Sequence, residues 1–437
     1  MKELICPRSI LYNLQPFNLN SGSVESLSSY LIRLAYAHNI AVGSLVNKII
    51  IPRLKKDYLS RSTKYGGNSF FEGAKTMDSF NENALDMVKV LGELTSRNDL
   101  NQLTLINFKK KFSNRGLLKD ELSWCSECLN EWKWRGENNL YYPLIWHFKL
   151  VQICFKHKCL LSNCCENCSN LNPILRRNMH LGYCSYCAYP LFENSKVVNC
   201  NFKKEELDWY EFCFLNIEFI LKSHLEYFNT SEFINSIFSQ NLSENLSLFA
   251  RITTIPKSTL RGWLRGESVP SLEGLLKICY ALNISLSNPS SNSIQIPTNV
   301  FTENMTFKKE SNIRKPIDVK QIELELNRIL NLEVPISMAS AAHLIGRNKR
   351  VLYGNSPDLC KDISRRYLNY KQTVANNRIE NIQSEVEITF FELMSENTFP
   401  SRAAIEKRIN KPGLLREPRV KVFWQKLINS EVNINDE

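Results

Sequence analysis

The chain has 437 residues, 43% hydrophobic and 23% charged, with only 15 Gly and 16 Pro, which argues for about three globular domains and for helices over sandwiches or barrels. Lys and Arg number 55 against 44 Asp and Glu, a formal net charge of +11, which is compatible with a polyanionic partner without requiring one. The start, "MKELICPRSILYNLQPF", lacks a basic segment followed by an apolar one, and "YYPLIWHFKLVQICF" is broken by His147 and Lys149, so neither a secretory signal nor a membrane span is expected. The reading is of a cytosolic chain, where disulfides are rare.

Residues 1–121 read as a helical domain. In "ESLSSYLIRLAYAHNI", Leu27, Leu31, Leu34 and Ala35 fall on one stripe with Arg33 off it, and Ser23 or Ser26 is placed to cap the start. "NENALDMVKVLGEL" and "LTLINFKKKF" are further amphipathic pieces.

Residues 122–202 differ sharply, holding ten of the fourteen cysteines. Two ligand quartets can be drawn. The first is Cys125 and Cys128, then Cys154 and His157. The second is Cys165 and Cys168, then, after fifteen residues, Cys184 and Cys187. Two ligands separated by two residues wrap a Zn²⁺ ion from one tight knuckle, and a second pair closes the tetrahedron. Each quartet is complete, whereas a catalytic zinc keeps an open position, so two structural zinc ions are expected. Glu127 and Glu166 lie inside the knuckles as turn residues. Cys159 and Cys164 are left over: Cys159 is an alternative to His157 in the first set and Cys164 to Cys165 in the second; otherwise both are plain thiols. Trp124, Trp132, Trp134, Tyr141, Tyr142, Trp146 and Phe148 are expected to form the small core that two ions would not supply, with one or two available for base stacking. Two cages only seven residues apart predict a rigid junction between two lobes.

Residues 203–285 read as a helical domain that includes a helix-turn-helix. Phe249, Ala250, Ile255, Leu260, Trp263 and Leu264 would face inward, while Lys257, Ser258, Thr259, Arg261 and Arg265 would face out as a recognition helix requires. Pro256 suits the first turn of the second helix. Thr254 stands where a turn glycine is expected, which predicts a wider turn. Residues 286–316 are polar, Ser- and Asn-rich, and read as a linker.

Residues 317–437 return to helix, with two further units of this kind. In the first, Ser337 caps a helix with Ala341 and Leu344 inward, Gly346 turns, and Val351 and Leu352 face the core. Arg347, Asn348, Lys349, Arg350 and Tyr353 then face out, followed by the basic Arg365 and Arg366; Arg and Lys suit phosphate or guanine and Asn suits adenine. In the second and looser one, Ser401 caps, "NKPG" turns and Glu417 to Leu427 is helical, with Arg408, Lys411, Arg416, Arg419 and Lys421 as candidate phosphate contacts. No "GxxxxGK[ST]" phosphate loop and no "HExxH" occurs, so an enzyme is not expected.

The combination resembles the TniQ family of Tn7-like transposons. "SGSVESLSSYLIRLAYAHNI" is similar to that family's opening motif. "WCSECLNE", "YYPLIWHFKLVQICFKHKCLL" and "CCENC" are similar to its zinc region, and "HLIGRNKRVLYGNSPDLCKDISRRY" and "SRAAIEKRINKPGLLREPRVKVFW" to the C-terminal repeats of its longer, TnsD-like members. The resemblance implies a mainly α protein: a helical N-terminal domain, a tandem zinc-finger or zinc-ribbon region and C-terminal helix-turn-helix units. It implies a non-enzymatic, bacterial, cytoplasmic and nucleoid-associated target-site selector. Such a protein binds double-stranded DNA at an attachment site and recruits a TnsC-type AAA+ ATPase and, through it, the transposase. Two rival readings are a CRISPR-associated adaptor that joins an RNA-guided effector complex to the transposition machinery, and a zinc-containing transcription regulator.

Overall fold

A computed structural model describes residues 8–64, 67–136, 139–193, 203–223, 229–242, 245–286, 319–411 and 413–435. The chain divides into two compact units, the first ending in the interval after residue 286 and the second beginning before residue 319. The expected linker lies, apart from Leu286, outside the described residues, as does Cys200 of the cysteine-rich region. No single described helix is long and apolar enough to cross a membrane.

The helix Leu27–Ala37 begins where its motif places it. Ser26 is the cap, its hydroxyl accepting from the Ser29 amide at 3.2 Å, and Leu27, Leu31, Leu34 and Ala35 are at most 1% exposed. Ser26, Ser28 and Ser29 are buried as well, and each has a partner. Ser28 donates its amide and hydroxyl to the Asp78 carboxylate at 2.8 and 2.7 Å, and Ser29 donates its hydroxyl to Glu25 at 3.0 Å. Arg33 is more than an off-stripe charge. It donates twice to the fully buried Glu25, at 3.1 and 2.8 Å, donates to the Gln15 carbonyl at 2.7 Å, and lies 4.1 Å over the Phe17 ring. One buried carboxylate, which also accepts from the Phe17 amide at 3.2 Å, thus fastens the incoming segment 15–17 to the helix. Burial pushes the Glu25 carboxyl up despite Arg33, so this ion pair specifies an arrangement more than it adds stability. Asp78 also lies 3.2 Å from His147 Nδ1, with both side chains at most 2% exposed. Ser28 and His147 both point at the carboxylate, so the trio is a buried clamp between chain segments and lacks the order of a hydrolytic triad.

The cysteine-rich region is built from little regular structure. It has a helix, Ser126–Trp134, and a two-stranded antiparallel hairpin, Ile153–Cys154 with Cys159–Leu160; isolated bridges such as Trp124 with Ser162 tie the rest together. Aromatic side chains supply the packing, as expected. Trp124, Tyr142, Phe148 and Trp146 are buried, and Trp132 stacks between Tyr141 and Trp146 at ring distances of 4.5 and 5.6 Å. Trp134 is the exception, 84% exposed at the end of its helix.

One continuous hydrophobic core runs through the first unit. It includes Leu27 and Leu31 of the first helix, Cys125, Cys154, Cys165 and Cys184, and Phe249, Leu260, Trp263 and Leu275 of the helices beyond. The helix Lys204–Ser223 reaches back through Phe214, whose ring is 5.1 Å from Phe155 of the cysteine hairpin. The loop before residue 114 is bonded to the start of a later helix, with the Ser113 amide donating to the Pro270 carbonyl at 2.8 Å. The expected junction between two lobes at the cages is therefore corrected. The cages sit inside one packed body, because the residues on both sides of them contribute to a single core.

Within that body the helices Leu246–Thr253 and Lys257–Leu264 are joined by a three-residue turn, and Leu272–Ala281 packs beside them. Phe249, Ile255, Leu260 and Trp263 are buried, and Ala250 and Leu264 pack partly buried against the core. The turn is not widened. Thr254 itself takes the left-handed conformation, φ +56°, that a glycine would adopt there, and Pro256 is the cap instead of the first helical residue.

The second unit uses one helical pattern twice and shares an element between the copies. The helix Val319–Leu330 packs with Met338–Ile345, Lys349–Asn355 and the start of a 39-residue helix, Pro357–Ser395, around Ile322, Leu326, Ala341, Leu352 and Cys360. The far end of that long helix then serves as the first helix of the next copy, packing Val386 and Phe390 against Ile405 of Arg402–Ile409, Leu415 of the turn that follows and Val420 of Pro418–Asn435. A proline at the first helical turn opens both last helices, Pro357 and Pro418. A left-handed residue ends both second helices, Gly346 and Asn410. Residues 368–377 between the two small cores are exposed on every side.

Two details correct the sequence reading. Leu344 is 68% exposed: Met338, Ala341, Ala342 and Ile345, spaced three and four apart, form the inward stripe, and Leu344 lies about 100° from it. In the last copy the short third helix, the counterpart of Lys349–Asn355, shrinks to a three-residue 3₁₀ turn, Leu414–Arg416, and the final helix runs beyond Leu427 to Asn435.

Candidate metal centres and basic helix faces

The chain folds each pair of cysteine-region ligands into a tight turn. In three of the four pairs the residue four positions after the first ligand is left-handed: Lys158 after Cys154, Ser169 after Cys165 and Ala188 after Cys184. There the chain doubles back, and the Ser169 and Ala188 amides donate to the Cys165 and Cys184 carbonyls at 2.8 and 2.9 Å. The fourth pair uses a helix instead. Cys125 is the cap of Ser126–Trp134, its sulfur accepting from the Cys128 amide at 3.5 Å. Amide donors also face Cys184 and Cys187, from Tyr186 at 3.4 Å and from the Asn167 side chain at 3.6 Å. Such donors stabilise thiolate, the form that binds metal.

The knuckles meet in two clusters, Cys125, Cys128, Cys154 and His157, and Cys165, Cys168, Cys184 and Cys187; within each, the ligand atoms all lie within 4.8 Å of one another. All eight residues that spacing selected are thus brought together in the two expected sets. The shapes fit an ion. Tetrahedral bonds of about 2.3 Å to sulfur and about 2.0 Å to nitrogen imply edges of about 3.8 Å between sulfurs and about 3.5 Å between sulfur and nitrogen. The observed edges are 3.7 Å for Cys128 to Cys154, and 3.4, 3.3 and 3.6 Å from His157 Nδ1 to Cys125, Cys128 and Cys154. In the second cluster Cys165 to Cys187 is 3.7 Å and Cys168 to Cys184 is 3.6 Å. Thiols of Cys125 and Cys128 donating to Cys154 hold its sulfur far below the ordinary thiol range, and Cys184 does the same for Cys187. Both clusters can hold a metal ion, and the described cysteines form no disulfide.

Cys159 and Cys164 find distinct places. Cys159 is 4% exposed with its sulfur 3.6 Å from Cys125, beside the first cluster and outside its four-atom group. Cys164 is half-buried, its sulfur 3.8 Å from the Cys165 carbonyl, and takes no place in the second.

Sequence reading missed Glu131. Its Oε1 lies 2.9 Å from His157 Nε2, and Lys156 is ion-paired with its other oxygen. The available signal was its position three residues after Cys128 on the same helix, which places the two on neighbouring faces. Burial lowers the His157 proton affinity, while Glu131 and Cys154 raise it by more.

The basic candidates divide. Lys257, Ser258, Arg261 and Arg265 are exposed on their helix, Thr259 is half-buried, and Arg265 pairs with Glu267 at 3.6 Å. Lys349 and Arg350 are exposed; with Lys257 and Arg261 they make no ion pair among the described residues. Arg347 is half-buried, and the Tyr353 hydroxyl is 3.0 Å from Ser364. Three candidates have other work. The Asn348 side chain caps Lys349–Asn355, accepting from the Arg350 amide at 2.9 Å. Arg365 pairs with Asp362. Arg366 donates to the carbonyls of Leu330 and Leu332, closing the C-terminus of Val319–Leu330. In the last copy Arg408 pairs with Glu396 and Lys411 with Glu385, both through two contacts, and Arg419 donates to Asn376 at 3.1 Å.

A mainly helical protein with two four-ligand cages embedded in its N-terminal body is the class these features define. Residues 16–161 match the TniQ family model. The chain carries a TniQ domain over these residues, which runs from the Glu25–Arg33 clamp through the first cage and ends before the second. That domain ties the protein to Tn7-like transposition. A search of curated proteins finds no match to the chain.

Proposed function

We propose that this protein is a target-site selector of a Tn7-like transposon, which binds an attachment site in double-stranded DNA and recruits a TnsC-type AAA+ ATPase and, with it, the transposase. The observation that carries the reading is the pairing of a TniQ segment with two short helices, Lys257–Leu264 and Lys349–Asn355, each of which exposes basic residues. Each follows its preceding helix after a three-residue turn, a spacing that supports reading each as the second helix of a helix-turn-helix. Lys257, Arg261, Lys349 and Arg350 offer phosphate and base contacts, with Ser258, Thr259, Arg265, Arg347 and Tyr353 beside them. Two weak modules on one chain give a long site by tethering.

Zn²⁺ is the ion these donor sets suit, three thiolates with an imidazole and four thiolates, and it supplies a fixed crosslink where the chain has little regular structure. Cys125, Cys128, Cys154 and His157 would hold one ion and Cys165, Cys168, Cys184 and Cys187 the other. With every ligand position taken by the protein, the role is structural and the protein an adaptor without a reaction of its own.

The test is selection of bound sequences from a random duplex library by the full chain without guide RNA, followed by salt titration of the enriched site. Enrichment of one extended site, with affinity falling steeply as salt rises, is the expected result. Absence of enrichment, together with binding to an RNA-guided effector, would assign the chain to the CRISPR-associated adaptors. A sequence-specific chain that fails to bind a TnsC-type ATPase would be a transcription regulator.

A further inference from the structure

The first cage holds a choice that the second does not. Five potential ligands crowd it: the four of the cluster, and Cys159, which is as buried as Cys154 and whose sulfur is 3.6 Å from Cys125. Three thiolates with an imidazole and four thiolates are both complete zinc sites. Something must decide between His157 and Cys159, two residues apart on one hairpin.

A neutral imidazole divides its proton between two nitrogens and turns about its bond to the chain. To ligate through Nδ1 it must carry the proton on Nε2 and keep its plane. A carboxylate hydrogen-bonded to Nε2–H sets both at once and makes Nδ1 a better donor. Glu131 stands where such a carboxylate must. Nδ1 of His157 faces the three sulfurs at 3.3 to 3.6 Å, and Nε2 faces Glu131 Oε1 at 2.9 Å. Glu131 is itself held. It is one turn beyond Cys128 on the helix capped by Cys125, so one rigid element delivers two sulfurs and the carboxylate. Lys156, adjacent to the imidazole in sequence, occupies the other carboxylate oxygen.

We propose that Glu131 is the positioning residue of the first metal site: it holds His157 in the Nδ1-ligating state and so excludes Cys159 from the fourth position. The inference rests on the reading of this cluster as a metal site. It assigns no ligand role to Cys159 in the native protein and makes that thiol the fallback when the ring is released.

The experiment uses the full chain loaded with Co²⁺, whose thiolate charge-transfer intensity counts sulfur ligands, and competition with a chromogenic chelator. In E131A, with the ring freed, first-site absorption gains intensity toward that of four thiolates. In the double variant E131A/C159S no fallback exists, and first-site affinity falls by about 10- to 100-fold while the second site keeps its own. E131Q, whose amide oxygen still accepts from Nε2–H, loses less. An E131A spectrum and an E131A/C159S affinity both equal to those of the wild type would overturn the proposal. A different result separates the failure of its premise: if H157A/C159S still binds two ions with unchanged affinity, this cluster is not the metal site.

Discussion

Chelation is expected to unfold the first unit and spare the second. Both cages lie within the first, and seven of their eight ligands, all but His157, pack into or against its one core. A structural zinc site of this kind contributes about 10–16 kcal/mol of apparent binding free energy at pH 7. A whole domain is stable by only about 5–15 kcal/mol. Losing even one ion therefore removes as much as the unit has to lose, and no regular sheet or long helix bundle spans 139–193 to take over. The second unit's cores use Ile322, Leu326, Val386 and Phe390 and include none of the eight ligands. Tryptophan emission separates the two, since six of the seven tryptophans lie between residues 124 and 263 and one, Trp424, in the second unit. Stripping the metal should red-shift most of the emission and abolish the first unit's cooperative melting transition, while helical circular dichroism from 319–435 persists to its own midpoint. A domain of this size shifts by about 2–4 °C per kcal/mol. If the stripped protein's first transition moves by less than about 4 °C, the ions contribute no more than about 2 kcal/mol and the structural assignment is wrong.

Arg261→Ala and Arg350→Ala should each weaken DNA binding and lower the slope of log affinity against log salt by about 1, with melting unchanged; Arg366→Ala, which opens a helix end, should instead destabilise the second unit by about 1 kcal/mol in urea. Trp132→Ala removes a side chain stacked on two aromatic rings and should cost about 3–5 kcal/mol, whereas Trp134→Ala, on the surface, should stay within about 0.5 kcal/mol of wild type. Leu344→Lys should be similarly silent in thermal melts, and Ala341→Lys should not, since Ala341 is fully buried. Lys119 donates to Ser123 and to the Val151 carbonyl, and burial pulls it down to about 7. Its unfolded value is higher, so between these values the unfolded chain binds the extra proton and stability rises with pH. Wild type should therefore gain on Lys119→Met by up to about 1.4 kcal/mol per pH unit from pH 7 to 9, measured by urea unfolding; parallel pH profiles would refute this.

The ligand clusters were legible because metal chemistry constrains spacing: two donors on one knuckle must be about three residues apart, whatever the surrounding fold. Buried stripes were legible where periodicity was strong, as at Leu27, Leu31 and Leu34. The failures share a different cause. Leu344 misled because small residues, Ala341 and Ala342, form the inward stripe, and hydrophobic size alone does not say which face packs. Arg33, Asn348 and Arg366 read as solvated or DNA-facing charge and polarity because a side chain's partner is set by tertiary structure; each is taken by a backbone or carboxylate group distant in sequence or at a helix end. Glu131 was hidden for the same reason, its partner lying 26 residues away on another element.

The shared core changes what the cages are for. Sequence spacing suggests a joint between lobes, yet Phe249, Leu260 and Trp263, which set the Lys257–Leu264 helix, pack into the same core as Cys125 and Cys165. A core of that kind is close-packed and transmits displacement. The exposed face bearing Lys257 and Arg261 is thus held by the TniQ segment and the metal sites together. The second basic face, with Lys349 and Arg350, is held by a small core of its own. Metal removal should therefore abolish the DNA contacts of the first face and leave those of the second, so that the stripped chain retains weaker binding with a smaller salt slope. Equal loss at both faces would mean that the second depends on the first, and no loss at either would mean that the cages do not hold the first helix in place.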